Sequence, residues 1–275
     1  GSEMCIRDRN DSEGIIITHG TDTLQYTAAL LSYVFGTDCV PVLLVSSDFP
    51  LEDERANGMA NFMRAVEFIK CREGRGVFVS YRNDRNEEAD IYRGTRLLMH
   101  QPYSARLHPL DGVSFHGKVC YNREASMDRM ERPDGQELRL TEDAGNILWI
   151  RPCVGMTYPQ AGPQVRAVLH DSYHSGTIAV NAGLEEFAGR MEQAGIPVYL
   201  TGASSGEAEY ETVRMYEQYG IRVLPKMSLI AAYCKLWLAL SNDLDVNSIM
   251  NTCIAEDIIQ EQRGVIRTDE QSRRD

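Results

Sequence analysis

The residues best placed to do chemistry stand together near the start of the chain. Gly20-Thr21-Asp22 follows directly on the apolar run Gly14-Ile15-Ile16-Ile17-Thr18. A hydroxyl beside a carboxylate sets a nucleophile or hydrogen-bonding group next to a group that can hold an ammonium. Gly20 carries no Cβ and so lets the backbone approach a ligand closely. With a strand before it and a helix from Leu24 onward, the pair falls at a strand's carboxyl end and a helix's amino end, where open α/β sheets bind ligands. Thr and Asp are also common helix caps, and the spacing alone favours that plainer role for Thr21 or Asp22.

Two further patterns carry less. Gly202-Ala203-Ser204-Ser205-Gly206 fits G-x-S-x-G after an apolar run, the setting of a nucleophile elbow. The hydrolase order is serine, acid, histidine, whereas His19, His100, His108, His116, His170 and His174 all precede Ser204, so a plain Gly-rich turn is expected. His170 and His174 have the spacing of a helical metal pair, but Asp171-Ser172-Tyr173 lacks the glutamate of H-E-x-x-H and both flanks, Val165 to Leu169 and Gly176 to Val180, read as strands. No metal site and no cofactor is expected, and neither a Walker loop nor G-x-G-x-x-G occurs.

The elements that must position these residues alternate. Short β-branched runs at Gly14–Thr18, Pro41–Val45 and Gly76–Ser80 are separated by helical patterns, the arrangement of parallel strands covered on both faces. Leu24, Ala28, Leu31 and Phe35 mark one face of the first helix, and Gly36 supplies its stop. Between Tyr121 and Asn146 the chain turns polar around Pro133-Asp134-Gly135, which predicts a linker and a domain boundary. Strand patterns resume at Ile147–Ile150, Gly176–Val180, Pro197–Leu200 and Ile221–Leu224, with a helix over Leu184 to Ala194. The fold class is therefore α/β, a larger amino-terminal domain with a mainly parallel sheet and a smaller α/β carboxy-terminal domain.

Composition narrows the partners. Across 275 residues, 28 Lys+Arg against 40 Asp+Glu give a net charge of −12, which disfavours nucleic acid and acidic membrane surfaces. No apolar stretch is long enough to span a bilayer and no apolar signal core opens the chain, so a cytoplasmic location is expected. The seven cysteines are widely spaced without a C-x-x-C pair and read as reduced thiols. From Gly264 the charged tail is expected to be disordered.

The stretch His19-Gly20-Thr21-Asp22-Thr23-Leu24, with Tyr26-Thr27-Ala28, resembles the second active-site signature of the bacterial L-asparaginase/glutaminase family. Pro41 to Leu51, followed by Arg55-Ala56-Asn57-Gly58 and Asn61, is similar to that family's next block. Ile91-Tyr92-Arg93-Gly94-Thr95-Arg96 resembles its cytoplasmic, type I branch, and Lys226 to Leu236 its carboxy-terminal helix. The resemblance runs from about Asp11 to Leu240. It implies a two-domain asparaginase-like fold, with an amino-terminal domain over 11–145 ending in a linker at about 121–145, and a carboxy-terminal domain over 146–263.

It also implies hydrolysis of the side-chain amide of L-asparagine, and in some members of L-glutamine, through a threonine acyl-enzyme. In the family one threonine lies in a T-G-G-T turn and a second works with a lysine and an aspartate; the resemblance puts the second threonine at Thr21 and the aspartate at Asp22, with Gly20, Thr21, Asp22 and Ser47 bordering the substrate. The family's sites form between subunits, which implies a homo-oligomer, dimer or tetramer.

The chain departs from the family pattern in three places. Nothing before Asp11 resembles the family's T-G-G-T turn, Gly1-Ser2 reads as an appended dipeptide, and a truncated or chimeric start is expected. A missing strand and crossover would remove about 30 residues and leave a gap in a parallel sheet. Met99 stands at the position of the family's lysine and cannot move a proton, unless His100 or Arg96 substitutes. Lys226 and Ile230 replace acidic residues, one of which reaches a neighbouring subunit's substrate in the family. The expected activity is thus an impaired L-asparaginase-like amidohydrolase. The alternatives are a non-catalytic amino-acid-binding homologue and an amidase subunit acting on amidated tRNA through a partner.

Overall fold

The computed structural model describes residues 12–83, 88–112, 114–115, 126–142, 144, 146–203 and 211–259. Three parallel strands, β1 (Ile15–Thr18), β2 (Val42–Val45) and β3 (Val77–Tyr81), form a sheet in that order, and β4 (Asp90–Arg93) adds antiparallel to β3. Strand geometry sends alternate side chains to opposite faces. Val42, Leu44, Val77 and Val79 accordingly pack on one side with Leu24 and Ala28 of α1 (Leu24–Phe35). Leu43, Val45 and Phe78 pack on the other with Ala65 and Phe68 of α2 (Gly58–Lys70).

The helix α1 has the expected bounds and ends at Gly36, whose φ of 76° needs a residue without Cβ. Leu24, Ala28, Leu31 and Phe35 do face the first sheet. A second stripe, Ala29 and Tyr33, faces away from it onto the carboxy-terminal part of the chain.

A second sheet is wholly parallel: β6 (Ile147–Ile150), β7 (Ala167–His170), β8 (Val198–Leu200) and β9 (Ile221–Val223). One face is covered by α3 (Ala182–Gln193), which buries Leu184, Phe187 and Met191, and by Tyr216 of α4 (Glu211–Gln218). The other is covered by α5 (Leu229–Ser241) through Ala232, Leu236 and Leu240. The opposite side of α5, Ile230, Ala231, Cys234 and Leu238, meets the second stripe of α1. The layers therefore run α2, first sheet, α1, α5, second sheet, α3 with α4. A helix apolar on all sides, as α5 is, belongs in such a central position.

Three expectations are corrected. Gly176 to Val180 forms no strand; Ile178 is buried, but its N–H donates to the Tyr216 hydroxyl (2.8 Å), which donates back to the Ile178 carbonyl (3.2 Å). A side chain there does what a neighbouring strand would otherwise do. Inside the expected linker, β5 (Ser126–Met127) pairs in parallel with β10 (Cys253–Ile254), which follows α6 (Val246–Asn251). Cys39, Cys71, Cys153 and Cys234 are free thiols, whereas Cys253 is disulfide-bonded, so the expectation of reduced thiols fails at that residue.

The turn after β10 ties the layers with buried charge. Lys235 of α5 meets Asp257 at 2.7 Å, both fully buried, and Asp257 also accepts from the Tyr33 hydroxyl (2.9 Å) and the Ile254 N–H (2.9 Å). Next to it Glu256 pairs with Arg93 at 2.9 Å, whose guanidinium lies over the rings of Phe78 and Phe115. No helix among the described residues is long and apolar enough to cross a membrane.

Candidate active site

Because Thr18, Val45 and Ser80 stand in register across β1, β2 and β3, the carboxyl ends of the three strands are level. His19-Gly20-Thr21-Asp22, Ser46-Ser47 and Arg82-Asn83 leave the sheet along that one edge. Thr21, Asp22, Gly20 and Ser47 are thus on a common rim.

The loop after β1 is held by His19. Its Nδ1 lies 2.7 Å from the Gly20 carbonyl and its Nε2 2.9 Å from the Thr27 hydroxyl. A carbonyl only accepts, so Nδ1 carries the proton and, in the neutral ring, Nε2 accepts from Thr27. This pins the loop to the second turn of α1. The first residue outside the helix is Thr23, and no side chain caps it. The capping role that spacing favours for Thr21 or Asp22 is therefore not taken. Thr21 is half-buried and Asp22 is exposed at the open amino end of a helix whose field favours negative or carbonyl groups.

Ser47 is differently employed. Its hydroxyl donates to the Phe49 carbonyl (2.6 Å) and accepts from the Gly58 N–H (3.2 Å), shaping the approach to α2. The block after it is a lacing of asparagines that sequence reasoning matched only by resemblance. Asn57 exchanges hydrogen bonds with Asp48 (3.0 and 3.1 Å) and donates to the Arg82 carbonyl (2.9 Å). Asn61, fully buried, donates to the Ser46 carbonyl (2.8 Å) and accepts from the Arg82 N–H (2.6 Å). Asn57, just before α2, and Asn61, within it, therefore fix the loops beyond β2 and β3.

Met99 and His100 point to different surroundings. Met99 packs with the layer between α1 and α5, where its sulfur accepts from Arg151 at 3.4 Å. His100 stands edge-on to Tyr81, ring centres 6.3 Å apart. Burial lowers its pKa from 6.5; the Asp22 carboxylate pulls it back up and His108 pushes it further down. Arg96 is engaged elsewhere: its guanidinium donates to the Glu256 carbonyl and to Asp111 (3.1 and 3.0 Å). Beside this rim, Asn83, Asp90, Tyr92 and His108 line a cleft, in which Asn83 bonds Tyr92 and Leu107. The alternation of apolar and polar residues gave no sign of it.

The other sequence candidates lie elsewhere. His170 ends β7, fully buried, its Nδ1 donating to the Asp171 carbonyl (2.5 Å) and its Nε2 beside the Tyr158 hydroxyl (3.2 Å), while His174 is exposed in the loop beyond. Burial lowers the pKa of His170 from 6.5 and pushes Tyr158 up to about 12. Ile230 is a core residue of α5. Ser204, Ser205 and Gly206 lie outside the described residues.

Two four-stranded sheets, the first mainly and the second wholly parallel, joined through a pair of inner helices, with a hydroxyl and a carboxylate at the level strand ends of the first, define an α/β protein with a candidate strand-end site. Residues 4–106 match the model of the asparaginase amino-terminal domain. It is 25% identical over 264 residues to a glutamyl-tRNA(Gln) amidotransferase subunit of Methanosphaera stadtmanae, covering 88% of this chain and 58% of that protein. It is 25% identical over 254 residues to L-asparaginase 1 of Escherichia coli K12, covering 87% and 72%. The solved thermostable L-asparaginase of Thermococcus kodakarensis superposes with a TM-score of 0.67 at 23% identity, over 93% of this chain and 79% of that one, a likeness of fold. The chain thus spans less than two thirds of the amidotransferase protein that it matches.

Proposed function

We propose that the chain is an L-asparaginase-like amidohydrolase, converting L-asparagine to L-aspartate and ammonia through an acyl-enzyme on a threonine hydroxyl. The observation that carries this reading is the uncapped Thr21-Asp22 pair at the level ends of β1 to β3, within the residues that match the asparaginase domain. In it, Thr21 supplies the hydroxyl, Asp22 grips the substrate's α-ammonium, and the Gly20 backbone borders the ligand. Ser47 closes the rim by shaping the α2 approach. The reading includes an amino-terminal domain over 11–145, a carboxy-terminal domain over 146–263, a cytoplasmic homo-oligomer of two or four chains, and a small-molecule substrate. With Met99 where the family has lysine, turnover is expected to be slow.

A second reading is favoured by the likeness to glutamyl-tRNA(Gln) amidotransferase proteins: an amidase subunit whose partner contacts tRNA. The net charge of −12 assigns RNA contact to the partner. One measurement separates the two. Ammonia release from free L-asparagine or L-glutamine that disappears in Thr21→Ala supports the first reading. Release that requires an added glutamyl-tRNA and partner supports the second, and release that survives Thr21→Ala removes Thr21 from the chemistry.

A further inference from the structure

The outer helix of the first sheet is apolar on the side that should meet water. α2 turns Asn61, Ala65 and Phe68 inward. At spacings of three and four, the positions opposite are Met59, Phe62, Met63 and Val66. Met59 is 63% exposed, Met63 57% and Phe62 39%, and Leu51, from the loop before the helix, is 64% exposed. Leu51 belongs to the same patch, because a Cβ on Gly58, the first residue of α2, would stand 2.7 Å from Leu51 Cδ2 and 2.7 Å from Ser47 Cβ. Four of the eight large apolar side chains exposed among the described residues thus lie together. Single exposed apolar residues are ordinary, whereas a contiguous patch of roughly 400 Å² marks an interaction surface.

The charges around the patch point to its occupant. Most are paired within the chain: Arg55 with Asp53 at 2.7 Å, Arg64 with Glu73 at 2.7 Å and with Glu67 at 3.6 Å, and Arg72 with Glu13 at 3.6 Å. Glu52 and Glu54, before the helix, and Lys70, in its last turn, are exposed and have no ion-pair partner among the described residues. One end of the patch is left negative and the other positive. We propose that α2 docks on α2 of a second copy of this chain, antiparallel about a twofold axis beside Phe62. A twofold contact uses one patch twice and so demands self-complementarity. In the antiparallel arrangement Met59 of each copy lies toward Met63 of the other, and the Glu52 and Glu54 end of each meets the Lys70 end of the other, with the helix dipoles opposed. A parallel pairing would set carboxylate against carboxylate, and the same two carboxylates disfavour an acidic lipid surface. The apolar patch is about half of the roughly 800 Å² per chain that a stable interface takes, and the charged ends supply the polar rim. Gly58, beside Ser47, places the amino end of α2 at the strand-end rim. Antiparallel docking therefore points the two rims to opposite sides and leaves both open, so the contact is independent of the amidohydrolase reading.

The test is the particle mass of the full 275-residue chain by sedimentation velocity between about 1 and 100 μM, a reading that needs no activity. The unsubstituted chain is expected to have an even multiple of the chain mass. Met59→Glu with Met63→Glu is expected to halve it, weakening association about 100-fold or more, with circular dichroism unchanged because both side chains are exposed. Lys70→Glu, which acts twice in a twofold contact, is expected to weaken association about tenfold, and adding Glu52→Lys and Glu54→Lys to it to restore the association. A single-chain mass over the whole range, or an unchanged mass in the double methionine variant, overturns the proposal. Failure of the charge swap to restore association overturns the antiparallel arrangement. Mass gained only on adding a separate amidotransferase protein overturns the second copy as occupant and gives the face to that partner.

Discussion

In the proposed reading the Asp22 carboxylate does two separable things: it offers an anion to the substrate's ammonium, and it raises the pKa of His100 against burial. Asp22→Asn removes both while leaving the shape almost unchanged. KM for L-asparagine should rise roughly tenfold, the order that one charge-assisted hydrogen bond supplies. With the carboxylate gone, protonated His100 loses its stabiliser and its pKa should fall further, as an NMR titration of the ring reads. Steady-state kinetics read the first effect. A kcat collapse at unchanged KM would show that Asp22 acts in the chemical step and not in gripping the substrate. Thr21 and Asp22 stand out as a local pattern, a hydroxyl–carboxylate pair after an apolar run, which spacing alone reads as a helix cap and the family resemblance raises to a candidate site. That Met99 packs between α1 and α5 while His100 meets Tyr81 depends on where Gly94 and Ser228 pin the chain, a property of no local pattern.

Among the elements, α2 supports the rim without entering it. Asn61→Ala would strand the Ser46 carbonyl and the Arg82 N–H in a buried place. The unfolding free energy should fall by about 2–3 kcal/mol, the cost of unmet buried polar groups. Urea denaturation measures this, and a loss below about 0.5 kcal/mol would mean that water replaces the amide. The strands β1, β2, β3 and β6 and the helices α1 and α3 were legible from apolar runs and spacing, because buried parallel strands and amphipathic helices write their environment into consecutive residues. Three features escaped for a shared reason. Asp90–Arg93 as an antiparallel strand, Ser126-Met127 paired to Cys253-Ile254, and Gly176–Val180 as a non-strand all depend on which distant segment supplies the partner. Residue type does not encode that choice.

For the whole molecule, the joint between the two sheets is α1 against α5, and its polar centre is Lys235, Asp257 and Tyr33. Burial lowers the Lys235 pKa while Asp257 holds it up, and burial with the same carboxylate raises the Tyr33 hydroxyl well above 10. A buried pair is stabilising only relative to its own broken halves. Asp257→Ala leaves an ammonium in a closed interior beside an unmatched Ile254 N–H, and should cost about 3–5 kcal/mol. Adding Lys235→Met to Asp257→Asn removes the charge and keeps a planar polar group: the amide oxygen still accepts from Ile254 N–H, and the amide nitrogen donates to Tyr33, which donates onward to the Ala231 carbonyl, 3.2 Å away. The double variant should therefore recover most of the loss in denaturant unfolding. If it stays as unstable as Asp257→Ala, the charge itself, and not the satisfaction of polar groups, sets how α1 and α5 meet. The rim at β1 to β3 would then depend on an ion pair in the layer behind it, because α1 carries both the Tyr33 contact and, at its amino end, Thr21 and Asp22.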